Sequence, residues 1–224
     1  MASGFNPKSK IQNLKSLALV VICLAGNSAA QQAPAPARVT FTKVLEGSSP
    51  EFEEVAVDST GAATYDGRKL SDPPSPRSIT LSPATTQKVF ALAHALNDFK
   101  SIDLESHKKV ANLGRKTFTY EQGAVKNQAE FNYSLRREAQ DLAELFERIA
   151  TVEEHVKALE YDSKYDPLSL PNELLLIQIE FHDKAVAEPE LLTPVLEQIV
   201  RNSHFLHLAQ VRARDILQHI QSGN

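Results

Sequence analysis

Two histidines three residues apart, His204 and His207, are the nearest this chain comes to a metal site. On a continuous helix their rings could converge on one ion, with Glu197, seven residues before His204, as a third ligand. That geometry fails if the helix breaks at Asn202-Ser203, which reads as a stop followed by a new cap. No HExxH or other zinc spacing accompanies the pair. The rings read more simply as boundary residues flanking Phe205 and Leu206, and His219, four after Asp215, as half of a surface pair near a helix end. No metal and no cofactor is implied.

Asp58-Ser59-Thr60-Gly61 superficially resembles the Asp-Thr-Gly or Asp-Ser-Gly of aspartic proteases. An extra residue separates Asp58 from the glycine, and the chain has no second copy. A hairpin turn accounts for the same four residues with less. Lys108, Lys109, Arg115 and Lys116 form a basic cluster beside Phe118, Tyr120, Phe131 and Tyr133, and Arg136-Arg137 follow. Such a mixture could stack single-stranded nucleic acid. It does not match an RNA-recognition motif, and aromatics alternating on strands are usually core. The sequence has no GxSxG elbow, no phosphate-cradling glycine loop and no dinucleotide fingerprint. Carboxylates are plentiful but none stands out as half of an acid–base pair, so no catalytic residue is assigned.

The compartment is written at the start of the chain. Lys8, Lys10 and Lys15 precede an apolar run, Leu17 to Ala25, and small side chains at Ser28 and Ala30. This is the pattern of a signal peptide over residues 1–30, with cleavage expected after Ala30. As a helix the apolar run spans about 14 Å, roughly half a bilayer core, which is too short for a membrane anchor. Export removes three lysines and leaves 21 basic against 28 acidic residues, so the net charge moves from −4 to −7. That acidity disfavours nucleic acid and anionic membrane as partners. The one cysteine, Cys23, lies inside the apolar run and lacks the small residues of a lipoprotein box before it. The mature protein is therefore free of disulfides, thiol nucleophiles and thiolate metal sites, and must rest on its core.

Residues 31–37, QQAPAPA, read as a tether that buries nothing. Val39, Phe41 and Val44 begin a half-buried strand, Val55 and Val57 a second, and Ala62 to Gly67 a third. After a proline-rich loop over 72–77, Ile79 and Leu81 form a short strand. Ser82-Pro83 then caps a helix of about four turns carrying Val89, Leu92, Ala93, Leu96 and Phe99. Lys116 to Glu121 and Ala129 to Ser134 are two more strands, joined by GAVKNQ as an ordinary loop. Ser134 caps the longest helix, whose Leu135, Ala139, Leu142, Phe146, Ile149, Val156 and Leu159 keep a 3.6-residue period. Glu144 with Arg148 and Glu153 with Lys157, each four apart, mark its solvated side.

The run Glu173 to Phe181, ELLLIQIEF, alternates like a strand and also fits a helix, with Pro171 in a first-turn position favouring helix. Thr193-Pro194 starts another helix, and Leu206, Ala209, Ala213, Leu217 and Ile220 phase a last one. The fold class is thus α+β: an antiparallel sheet of about five strands backed by two helices over residues 38–162, then a helical C-terminal region over 163–224.

Phe41 to Gly67, with a strand, a Val-Asp-x-x-Gly turn and a tyrosine strand, resembles the opening of small exported bacterial proteins of unknown function, chiefly acidobacterial. Lys116-Thr117-Phe118 and Phe131-Asn132-Tyr133 are similar in placement, so the likeness covers about residues 38–160. It implies export and no activity. The resulting expectation is a periplasmic or extracellular, non-enzymatic module that binds a protein, peptide or envelope component. The alternative is a periplasmic hydrolase whose residues converge only in three dimensions. A concave pocket holding a His or carboxylate cluster would favour the hydrolase, and an exposed face with aromatics would favour binding.

Overall fold

The computed structural model describes residues 35–222, so the expected signal peptide over 1–30 and most of the expected tether lie outside the described residues. Six strands, β1 (Arg38–Val44), β2 (Phe52–Asp58), β3 (Ala62–Arg68), β4 (Arg77–Thr80), β5 (Arg115–Gln122) and β6 (Val125–Phe131), form one antiparallel sheet ordered β4-β3-β2-β1-β5-β6. Five α-helices accompany it: α1 (Pro83–Ala95), α2 (Arg137–Tyr165), α3 (Leu170–His182), α4 (Thr193–Arg201) and α5 (His207–Ser222). The α+β class holds, with the short edge strand β4 as the sixth member of the sheet.

Alternation sets the sheet's inner face. Val39 and Phe41 of β1, Val55 and Val57 of β2, Tyr65 of β3 and Phe118 and Tyr120 of β5 are all buried. Phe41 stacks on Phe146 of α2, ring centroids 5.4 Å apart, and Phe99 stacks on Phe118 at 5.1 Å. Ala37, the last residue of the tether, is buried as well, and its carbonyl accepts from Ser59 N.

Three local expectations are corrected. GAVKNQ is not a loop: Gly123-Ala124 make a two-residue turn, with Gly123 at φ +59°, and the strand resumes at Val125. The polar residues that suggested a loop belong to an edge strand with a solvent-facing side. Ser134 does not cap α2. Its Oγ accepts from Arg136 N, which spends the hydroxyl before the helix begins at Arg137, and Leu135 stays outside. Beyond Ala95 the chain leaves the helical path, because Asn97, Asp98 and Phe99 take positive φ, yet Phe99 still reaches the core.

Helix α2 is about 43 Å long at 1.5 Å per residue. Its first half, Ala139 to Ala150, packs on the sheet, and its second half, Val152 to Leu159, joins a separate apolar cluster with α3, α4 and α5. The two cores therefore meet inside one helix. ELLLIQIEF is helical, as Pro171 in the first turn favours.

Candidate functional site

The residues weighed as a metal pair do not share a helix. Asn202 ends α4 in extended backbone, and its Oδ1 accepts from His204 N at 3.0 Å, so His204 sits in a turn while His207 opens α5. Glu197 pairs with Arg201. His219 Nδ1 lies 2.9 Å from the Asp215 carbonyl oxygen and 3.9 Å from its carboxylate, which instead accepts from Gln178. Among the described residues no group of three or more His, Cys, Asp or Glu is placed to hold a metal ion.

Asp58 anchors the β2–β3 turn. Its Oδ1 accepts from Thr60 N at 2.8 Å, Thr60 Oγ1 at 2.5 Å and Ala62 N at 3.2 Å. Burial pushes the carboxyl up, but these bonds and Arg38 outweigh it and hold the group below the usual range. Gly61, at φ +90°, passes so close to Leu81 that a Cβ would lie 2.9 Å from its carbonyl oxygen. The basic cluster is dispersed as well. Lys116 points inward, donating to the carbonyls of Leu113 and Asn132, while Arg115 lies near Glu130 and Arg137 near Asp141. Phe118, Tyr120 and Phe131 are core residues.

Two features emerge that residue pattern does not locate. The first is a polar layer between one end of the sheet and α2. Lys116, Lys43, Glu53 and Gly67 stand opposite one another across β5, β1, β2 and β3. Lys43 Nζ lies 3.5 Å from Glu53 and 3.2 Å from Glu147 of α2. Burial raises the Glu53 carboxyl and lowers the Lys116 ammonium; Lys43 is lowered by burial but raised further by its two carboxylates. Next along α2, Glu154 accepts from Tyr65 Oη at 2.6 Å and from Lys157 at 2.8 Å, and Lys157 also donates to the Gly67 carbonyl. A Cβ on Gly67 would lie 2.1 Å from Tyr65 Oη and 2.4 Å from Glu154 Oε1, so the strand needs glycine there for the pair to form.

This overturns the surface pair expected of Glu153 and Lys157. Glu153 is buried, with its Oε2 lacking a hydrogen bond and 3.4 Å from Arg77 Nε. Arg77 in turn makes a bidentate bond to Glu160 at 2.6 and 2.7 Å. Burial is the chief cause that raises the Glu153 carboxyl. Spacing of four predicts neighbours on a free helix, but β3 and β4 pack on this face and rearrange the partners.

The second feature is the outer surface of the helical layer. Leu170, Leu174 and Ile177 of α3 are buried, yet Leu175, Leu176 and Ile179 on the same helix stand in solvent. Arg212 donates to the Pro171 carbonyl and Gln178 to Asp215, which places α5 against α3. The α5 stripe that contains Arg212 and Asp215 also carries Leu208 and Val211, both exposed. Leu168, 73% exposed, precedes α3, and Tyr161 and Tyr165, with ring centroids 5.0 Å apart, are exposed at the end of α2. The pattern carries only part of this: Leu175, Leu176 and Ile179 fall on the opposite side from Leu170, Leu174 and Ile177, so α3 is apolar on two faces, of which one is covered.

His155 of α2 fastens α3 from within. It is buried, with Nδ1 2.7 Å from Glu173 Oε1 and Nε2 2.7 Å from Glu180 Oε2. Burial disfavours its charged form, but the two carboxylates prevail and raise it above the ordinary imidazole value. Its signal was a histidine inside the apolar stripe Val152–Val156–Leu159, matched by two glutamates seven apart on the next helix.

The concave regions are modest. One of about 730 Å³ lies beside α1, near Thr60, Phe90, His94 and Tyr120, and one of about 420 Å³ lies between α3 and α5, near Phe181, His182, Asp215 and His219. No helix among the described residues is long and apolar enough to cross a membrane. No protein-family model matches the chain, and no curated protein matches it.

Proposed function

We propose that this chain is a non-enzymatic interaction module of the cell envelope, exported by its N-terminal segment, that docks a partner protein on the apolar surface of α3 and α5. The observation that carries this reading is the set of six large aliphatic side chains, Leu168, Leu175, Leu176, Ile179, Leu208 and Val211, held at 40% exposure or more. Scattered singly they would be ordinary, but three on α3, two on the α5 helix that packs against it and one in the turn before α3 are the kind of concentration that marks an association site. Tyr161 and Tyr165 add aromatic rings of the type enriched in interface cores.

The hydrolase alternative would draw on the hollow between α3 and α5, where Asp215 is already taken by Gln178 and His219 faces the Asp215 carbonyl, or on the polar layer beneath α2. There the carboxylates already meet cations or a phenol: Glu53 faces Lys43, Glu154 takes Tyr65 and Lys157, and Glu153 faces Arg77. Internal pairing of this kind holds a fold and leaves little for a substrate, which favours the binding reading.

The test is paired capture from the envelope fraction of the native host, using mature protein that begins at Gln31. A partner retained by the wild type and lost with Leu175→Asp/Ile179→Asp, at unchanged circular dichroism, is the expected result. Equal recovery by both proteins removes the α3 surface from the reading. Intact-mass measurement on the secreted product, expected to begin at Gln31, tests export separately.

A further inference from the structure

We propose that the Glu173–His155–Glu180 triad is a proton-operated latch on α3, so that loss of the shared imidazole proton as pH rises loosens the helix and weakens docking on its outer surface. The docking half of this inference rests on the function proposed above; the latch itself does not. Both ring nitrogens lie 2.7 Å from a carboxylate oxygen, and the imidazole and the two carboxylates are 7%, 19% and 24% exposed. A neutral imidazole has one N–H and cannot donate to both carboxylates. With the proton present, each contact is a charge-assisted hydrogen bond that ties one end of α3 to α2. Without it, a lone pair faces a carboxylate at hydrogen-bond distance in a site with little water, which is repulsive.

Among the described residues no cation other than His155 pairs with Glu173 or Glu180. From α3 the facing groups are Glu173 and Glu180 themselves, and Glu173 raises Asp162, one of the next acids along α2, so that the local excess is negative. Burial is the larger cause of that rise. From the 189–192 turn and α4 the packed residues are Leu192, Val195, Leu196 and Ile199, while Glu190 is exposed and Glu197 is engaged by Arg201. Lys157, two residues beyond His155, is occupied by Gly67 and Glu154 toward the sheet. From α5, Arg212 is spent on the Pro171 carbonyl and Asp215 on Gln178.

The sign follows from the raised imidazole. The stabilisation is fully present below the unfolded value near 6.5 and is lost as pH rises through the higher folded value. Rising pH is therefore the releasing direction. Leu170, Leu174 and Ile177 still anchor α3 in the core, so release means local opening and not global unfolding.

Amide hydrogen exchange on free full-length mature protein, with an NMR titration of the His155 ring, tests the latch. Between pH 6 and pH 9 the protection factors of α3 amides should fall about tenfold more than those of β1 and β5, or about 1.4 kcal/mol of easier local opening. In His155→Gln the two regions should change in parallel. An equal fall across α3 and the sheet in the wild type, or an undiminished α3-specific fall in His155→Gln, overturns the latch. If that variant does not fold, Glu180→Gln decides: removing one carboxylate should lower the His155 midpoint by about one pH unit, and an unmoved midpoint refutes the clamp. A hydrophobic dye, 1-anilinonaphthalene-8-sulfonate, reads the outer surface independently. If dye binding is abolished by Leu175→Asp and weakens from pH 6 to 9 in the wild type, latch and surface are joined. If α3 protection titrates while dye binding ignores both, the latch stands and the docking surface falls.

Discussion

The two sides of α2 dispose of their side chains in opposite ways. Toward the sheet, the helix buries aromatic rings and also brings carboxylates inward, where Lys43, Tyr65, Lys157 and Arg77 meet them. Toward α3, α4 and α5 the inward polar group among the apolar residues is His155, and leucines and isoleucines are left on the outside. A face whose carboxylates meet cations or a phenol inside, and whose exposed aliphatics Leu70, Val110, Leu113, Val125 and Leu135 are spread over loops and element ends, has little left to join. One with a closed core and an aliphatic outer surface still has area to remove from water, about 25 cal/mol for each Å² covered. That difference is what turns the proposed reading toward the helical side.

Substitutions sharpen that comparison most where burial is greatest. Phe146→Ala removes a fully buried ring stacked on Phe41 and should cost about 3–5 kcal/mol in denaturant unfolding. A loss under about 1 kcal/mol would mean that the sheet side is not the stable one. Gly67→Ala comes next. The new methyl must displace the Tyr65–Glu154 pair, at a cost of about 2 kcal/mol by the scale of overpacking. If calorimetry finds it neutral, the polar layer is looser than its geometry.

Glu153→Leu should go the other way, stabilising by about 1 kcal/mol, because a buried carboxyl with an unbonded oxygen is replaced by apolar volume while Arg77 keeps its bidentate bond to Glu160. Its benefit should shrink as pH falls, since burial raises the wild-type carboxyl and protonation relieves the same penalty. Destabilisation at every pH would show that the Arg77 contact outweighs burial. Smallest in stability is Leu175→Asp on the outer face of α3, expected within about 0.5 kcal/mol of wild type by thermal unfolding. A large loss there would mean that the outer surface is part of the fold, and the contrast between the two sides would disappear.

Much of the framework was legible from residue pattern. Alternation located β1, β2, β3 and β5, Ser82-Pro83 marked the start of α1, and Asp58-Ser59-Thr60-Gly61 was a turn. These are local matters, decided within a few residues by backbone preference and by which side chains avoid water. The misreadings also have local causes. GAVKNQ was polar because it runs along the sheet's edge, and Ser134 had a closer donor than the helix it was expected to cap.

The sequence by itself determined the α+β class, the order of most elements and the absence of recognisable catalytic spacing, because periodicity and motif spacing are properties of neighbouring residues. Only the tertiary structure decided that Tyr65 meets Glu154, 89 positions away, that Glu153 turns inward to Arg77, and that His155 lies between Glu173 and Glu180. Such pairings depend on which strand or helix packs against which face. Side-chain reach and charge select among neighbours only after the chain has brought them together.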